Sequence, residues 1–407
     1  MKKIIFRSLI FTLLLIFSFV VFLSTIGIKT GAFNDQISKE VKKIDNQLEL
    51  DLDKISIILD PFKFKLILKT IGASLKNKNN LIKLESVRSN IDIKTFIIKK
   101  FSLSELTINT RTIEIKNLIS FVRSIEDSPQ IFMLEKFVQK GYLIADINLK
   151  FDQKGNIKDD FIIKGLVKDG EIKPFKKIDL SKINFIFNIQ NNEFEFKDIK
   201  LLYDNNVLMF PELNIIKERN EFLISGKNKS KNISLDEKKI NQFLNNNELS
   251  DLKIKSAKFD LENTFSFKIN NKYKINNLNI SSLLNLKNSK LISPQNLKKF
   301  FPKINEIIEL SNHEIRIEYK KDLLNINGNG NILIQKENDN IKYNLSKSLK
   351  NLKFDTVLKI KKNPFHLNFL NYKKDEGDKL EIIILGDKNL LSNEIDLKNI
   401  SIKEKNN

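Results

Sequence analysis

One stretch constrains this chain more than any other. Ser8–Ile28 is uncharged and almost wholly apolar over 21 residues. At ~1.5 Å rise per residue a helix of that length spans about 30 Å, the hydrocarbon thickness of a bilayer. A cleaved signal peptide is the competing reading. Such peptides have shorter apolar regions, ~7–15 residues, and end in an A-x-A-like site. Here the nearest match is Thr30-Gly31-Ala32, with Thr where Ala is preferred. Residues 1–32 are therefore read as an uncleaved single-pass anchor. Lys2, Lys3 and Arg7 precede the run, and Lys29 alone follows within ten residues. The positive-inside rule then puts the N-terminus in the cytoplasm and the rest of the chain on the far side, with Lys39, Lys42 and Lys43 acting against it further out.

Beyond the anchor, Ile37, Val41, Ile44 and Leu48 recur at helical spacing after a capping Asn34 or Asp35. Thereafter alternation of period two dominates. Phe62, Phe64 and Leu66 alternate with Lys63 and Lys65. Ile183, Phe185, Phe187 and Ile189 share one strand face; Asn191-Asn192 marks a turn, and Phe194 and Phe196 resume. Phe265, Phe267 and Ile269 repeat the pattern. Asp204-Asn205-Asn206, Lys154-Gly155-Asn156, Lys168-Asp169-Gly170 and Asn327-Gly328-Asn329-Gly330 read as turns. Helices are few: Asn117–Asp127, Gln130–Lys140, Ser234–Leu244 with Ser234 as cap, and a weaker Pro294–Ile307 that Pro302 should break. The expected fold is mainly β. A transmembrane helix leads into a module with short helices (33–140), then an elongated sheet domain (141–407). About twenty amphipathic strands exceed what an open sheet holds flat, so a long, curled, antiparallel sheet with one dry face is expected, against two ordinary β-domains in series. Which apolar face lies inside stays open, because one slip of register exchanges the faces.

Composition removes several kinds of chemistry. The absence of Cys excludes disulfides, thiolate metal sites and cysteine nucleophiles, and two His leave little for a histidine metal site. The net charge of +20 comes from 70 basic against 50 acidic residues, of which only Arg7, Arg88, Arg111, Arg123, Arg219 and Arg316 are Arg. Nucleic-acid readers depend on Arg forks. A diffuse Lys excess on alternating strands reads instead as a solvated face, and no nucleic-acid partner is expected. No nucleophile elbow, phosphate loop, dinucleotide fingerprint or zinc-protease motif occurs. His313 is expected at a turn or strand edge, and His366 as an ordinary strand residue. Neither an enzyme, a cofactor, a metal nor a small-molecule substrate is expected.

The segment Leu84–Asn109, LESVRSNIDIKTFIIKKFSLSELTIN, resembles the N-terminal module of the AsmA-like family, whose relatives include TamB and YhdP. There a strand leads through a short helical crossover to a strand pair, here Ser104–Ile108 and Ile113–Ile115. Gly141–Asp152, Gly165-Leu166-Val167 and Phe185–Phe187 are similar to the family's next repeat. The resemblance covers residues 1 to about 215 well. It implies a bacterial inner-membrane anchor with the bulk in the periplasm, and a β-groove that carries membrane phospholipids towards the outer membrane. Ile183, Phe185, Phe187, Ile189, Phe194, Phe196, Phe265, Phe267 and Ile269 are the candidates for groove lining or core face. At ~4.8 Å per strand, twenty strands make a groove of about 95 Å. The alternative is a non-transporting scaffold or assembly factor that holds an envelope protein partner.

Overall fold

A computed structural model describes residues 2–31, 34–44, 46–78, 80–93, 103–152, 158–175, 178–244, 253–272, 274–368 and 371–405. The protein is mainly β, 64% strand, with antiparallel pairing throughout. It divides into two compact units, Met1–Asp204 and Asn205–Asn407.

The first unit opens with α1 (Lys2–Thr25), which is long and apolar enough over Phe6–Thr25 to cross a membrane. Its outward side chains, Phe11 and Leu13 among them, are more than half exposed. Gly27 follows at φ +72°, and a Cβ there would lie 2.5 Å from the Ile57 carbonyl oxygen, so the chain turns out of the helix tightly against the sheet. β1 (Ile28–Thr30) then pairs with β3 (Ile55–Asp60). α2 (Asn34–Ile44) packs Ile37 against Ile55, Leu68 and Ile91. The strands continue as β2 (Leu48–Asp51), β4 (Lys65–Ile71), β5 (Ser74–Asn77), β6 (Asn80–Asp92), β7 (Leu103–Thr110) and β8 (Ile113–Glu114). α3 (Ile115–Ile125) and α4 (Pro129–Phe137) follow. Ser128 caps α4 and Pro129 opens it, as its fixed φ favours. Then come β9 (Val138–Lys150), β10 (Ile162–Phe175), β11 (Ile178–Gln190) and β12 (Glu193–Tyr203).

The second unit is an up-and-down meander. It runs β13 (Asn206–Glu218), β14 (Glu221–Asp236), α5 (Glu237–Leu244), β15 (Ile254–Asn270), β16 (Ile275–Ile292), β17 (Ile307–Lys320), β18 (Leu323–Leu333), β19 (Asp339–Lys347), β20 (Asn351–Ile360), β23 (Lys379–Asn389) and β24 (Ile395–Lys405). From β14 onwards each main strand pairs with the one before it. A separate hairpin, β21 (Phe365–Leu367) and β22 (Tyr372–Lys374), folds with Phe300 and Phe301 over Ile308, Ile360, Leu380 and Ile382 and closes one end of the apolar face. A polar knot ties this cap down. Asn363 donates to Asp339 Oδ2 at 2.7 Å and to the Glu337 carbonyl at 2.6 Å. Lys374 Nζ donates to the Asn363 carbonyl at 2.7 Å, and Gln335 to that of Pro364 at 2.8 Å. All four side chains are fully buried.

Several sequence expectations change. The sheet is not strongly curled within either unit, so strand number alone does not force closure. Asn327–Gly330 is no turn but the middle of β18, and Lys168–Gly170 is a bulge inside β10 with Asp169 at φ +52°. His313 sits mid-strand in β17 and is 1% exposed, not at an edge. Phe62 and Phe64 do not lie in a strand: Pro61–Phe64 is the turn between β3 and β4. Ile115 starts α3 rather than ending a strand. Ser234 stays in β14, and Asp236 instead accepts from the Lys239 backbone N–H to cap α5. Only Gln295–Lys299 of the stretch before Pro302 is helical, as a 3-10 turn. The expected crossover after Asp92 and the turn Lys154–Asn156 lie outside the described residues.

Candidate apolar face

In the first unit, cross-strand register carries one apolar face from the foot of α1 across the sheet. Residues directly opposite on paired strands share a face. Ile28 lies beside Ile57, Ile57 beside Leu68, and Leu59 beside Leu66, which lies beside Ile91. Val87 is followed by Ile108, then Ile147, Ile163, Ile189 and Phe194, one strand at a time. A parallel row runs Ala145, Gly165, Phe187, Phe196. α2 covers part of this face, and α3 another part through Leu118 and Phe121. Ile147, Ile163, Ile189, Phe194 and Phe196 stay half-buried, with no helix over them among the described residues.

At the helix end this face hollows into a cavity of about 180 Å³ lined by Leu23, Ile28, Ile57, Leu59, Leu66, Leu68 and Ile91. Every lining side chain is aliphatic. One of them, Leu23, belongs to the stretch of α1 that is long and apolar enough to cross a membrane.

The opposite face carries an exposed apolar row, Ile144, Leu166 and Ile186, and beside it a polar ladder. Glu105 accepts from Asn90 at 2.7 Å and from Asn148 at 2.8 Å, and Asp146 accepts from Asn109 at 2.6 Å. Lys150 and Asp160 meet at 2.7 Å; each holds the other charged, raising the lysine pKa and lowering that of the carboxyl.

The sequence-derived candidates divide between the units. Phe185, Phe187, Ile189, Phe194 and Phe196 lie together on the first unit's apolar face, with Phe185 5.6 Å from Phe196 edge-to-face. Ile183 is beyond the β10 bulge, buried against Gly170. Phe265, Phe267 and Ile269 lie on the second unit's apolar face, beside Gly226, Ile224 and Phe222. That face continues through Ile280, Tyr319 and Leu324, and through Ile326, Leu345 and Phe354. The two larger depressions of the second unit, about 460 and 400 Å³, fall on its polar face instead, among Asn214, Ser225, Ser266 and Asn279 and among Asn327, Asn344 and Asp355.

A device the sequence did not show recurs on the apolar faces. Strand glycines accept an aromatic ring from a neighbouring strand. A Cβ on Gly165 would lie 2.7 Å from Phe187 Cζ, on Gly226 2.8 Å from Phe265 Cζ, and on Gly386 2.7 Å from Phe354 Cζ. On Gly328 it would lie 2.2 Å from Tyr343 Cζ, and on Gly330 2.4 Å from His313 Cγ. Each ring therefore lies down across its neighbour instead of standing off the sheet. Neither ring nitrogen of His313 is hydrogen-bonded; burial pushes its pKa down, with the nearby Ser311 backbone acting weakly the other way.

Among the described residues no group of three His, Cys, Asp or Glu could hold a metal ion. No family model, curated protein or solved structure matches the chain.

Proposed function

We propose that this is a membrane-anchored lipid-handling protein whose apolar sheet face accepts phospholipid acyl chains beside the anchor. The observation that carries the reading is the aliphatic cavity shared by Leu23 and the sheet, from which apolar side chains continue across the sheet, past the hydroxyls of Ser89 and Thr70, to Phe194. Each methylene moved from water onto such a face gains about 0.8 kcal/mol. Binding and release along it need no catalytic group. The AsmA-like resemblance of Leu84–Asn109 agrees with this. It extends the reading to a bacterial inner membrane, with the N-terminus in the cytoplasm, the bulk in the periplasm, and phospholipid passing towards the outer membrane through a groove of this face. The modest curl of the sheet is the point at which the proposed groove departs from the simplest form of that picture.

Photo-crosslinking tests it. A photoreactive side chain at Phe194 or Ile163 of the full chain in lipid bilayers should capture phospholipid. The same group at Glu195 or Lys164, on the opposite face, should not. Equal labelling of both faces, or none, would refute the reading. A second reading, a scaffold for an envelope protein, is favoured by β24. It pairs with β23 on one side, and its Leu397 and Ile400 are more than half exposed. Crosslinks to protein at Leu397 without lipid at Phe194 would select it.

A further inference from the structure

We infer that the β3–β4 hairpin tip is a second membrane contact, dipping into the same leaflet from which α1 emerges. This goes beyond lipid handling and rests only on α1 being a membrane helix.

Register fixes where the tip points. β1 leaves α1 and runs antiparallel to β3, with Ile28 beside Ile57 and Thr30 beside Ile55. The chain thus moves away from the helix as β3 numbers fall, and back towards it as they rise to Asp60. Leu23, two residues before the helix end, shares its cavity with Leu59 and Leu66, the last apolar pair before the turn. Leu59 and Leu66 therefore stand level with the final turn of α1. The turn Pro61–Phe64 extends two to three residues further, about 7–10 Å at strand rise. That is the depth of the boundary between head groups and acyl chains.

The tip's chemistry fits that depth. Phe62 is 95% exposed and Phe64 71% exposed, although both are large enough to dominate a core. Lys63 lies between them and Lys65 follows, so aromatic and cationic side chains alternate as at a membrane interface with anionic lipid. The turn is held in shape. Asp60 Oδ1 accepts from the Lys63 backbone N–H at 3.1 Å, Phe64 takes a left-handed φ of +52°, and the Phe64 carbonyl accepts from Ile93 N–H at 3.2 Å. A tip built this way presents its two rings instead of folding them back. With α1 and the tip both embedded, the aliphatic cavity between them opens at the lipid surface.

The chain has no Trp, so Phe62→Trp introduces a single reporter. The full-length variant is reconstituted in vesicles of phosphatidylethanolamine and phosphatidylglycerol, some of them brominated along the acyl chain. Tyr142→Trp, on the polar face of β9 and remote from the turn, serves as the water-facing comparison. The proposal expects blue-shifted emission from Phe62→Trp and quenching by brominated lipid several times stronger than for Tyr142→Trp. Water-like, unquenched emission would overturn it. Blue-shifted emission that brominated lipid does not quench would overturn it too, since the tip would then sit in protein. Flotation of the vesicles after alkaline wash reads α1 separately. A chain left behind removes the membrane helix and the proposal together, whereas a chain that floats with an unquenched tip removes the proposal alone. Failure to transfer lipid would leave the quenching unchanged.

Discussion

Substituting Gly328 by Ala tests the seating of rings on glycines. Gly328 lies opposite Tyr343, and the three atoms nearest to where the alanine methyl would stand are all in the Tyr343 side chain: Cζ at 2.2 Å, Oη at 2.4 Å and Cε2 at 2.6 Å. No real Cβ approaches that closely, so the ring must leave its place. Overpacking of this kind costs ~1–3 kcal/mol, offset by about 0.5–1 kcal/mol from replacing a strand glycine. Gly328→Ala should therefore lose ~0.5–2 kcal/mol. In a Tyr343→Leu background the outer ring atoms are gone, and the same substitution should become neutral or gain about 0.5 kcal/mol. The coupling between the two positions should then be roughly 1–2 kcal/mol. Native-state hydrogen exchange at the Ile326 and Leu345 amides, which flank the pair in register, reads the local stability whatever the rest of the chain does. An unchanged cost in both backgrounds would refute the argument that the ring rests on the glycine.

Other outcomes follow from the same reasoning. Burial depresses the His313 pKa, so its contribution to stability is present above its unfolded value of about 6.5 and is lost as pH falls through the lower folded value. Exchange protection of β17 should drop as pH falls from about 6.5 towards the lower folded value, and His313→Leu should flatten the drop; an equally steep profile in the variant refutes it. Asn363→Ala removes both donors to Glu337 and Asp339 and the acceptor for Glu337 N–H. It should cost about 2–4 kcal/mol and expose the β21–β22 cap to protease. Asp339 titrates the opposite way from an exposed carboxylate. Desolvation raises its pKa, so its contribution is present below about 3.9 and is lost as pH rises through the folded value. Asp339→Asn should remove that acid-side stabilisation from a denaturation profile taken across this range.

What was legible in the sequence was whatever repeats along the chain. The Ser8–Ile28 run, the strand Ile183–Ile189 and the Asn191-Asn192 turn needed only local spacing; the structure has the strand and the turn, and a helix that ends at Thr25, with Ile28 already in β1. What repeats across strands was not legible. Gly328 and Gly330 looked like turn residues because glycine usually marks turns; their reason is a ring fifteen or more residues away, from Tyr343 on the next strand and His313 on the previous one. Phe62 and Phe64 kept the alternation of their strand past its end, and only hydrogen bonding shows that Asp60 and Lys63 close a turn there. The polar knot of Gln335, Asp339, Asn363 and Lys374 gives no signal in sequence, since each residue alone is typical of a wet face. Its burial depends on the cap meeting the sheet.

The nearest-neighbour pairing of the second unit has a consequence for how such chains change size. Because β17 pairs through its backbone with β16 and β18, excising Leu323–Lys347 would remove two strands and leave β20 running antiparallel to β17. In the present register Ile317, Ile326, Leu345 and Phe354 follow one another. After the excision Phe354 would fall beside Ile317, apolar on apolar. Length can thus be gained or lost in hairpin pairs without inverting the two faces. Single strands cannot be exchanged this way, since each would reverse the direction of everything after it. Chains built on such a meander should differ in length by even numbers of strands.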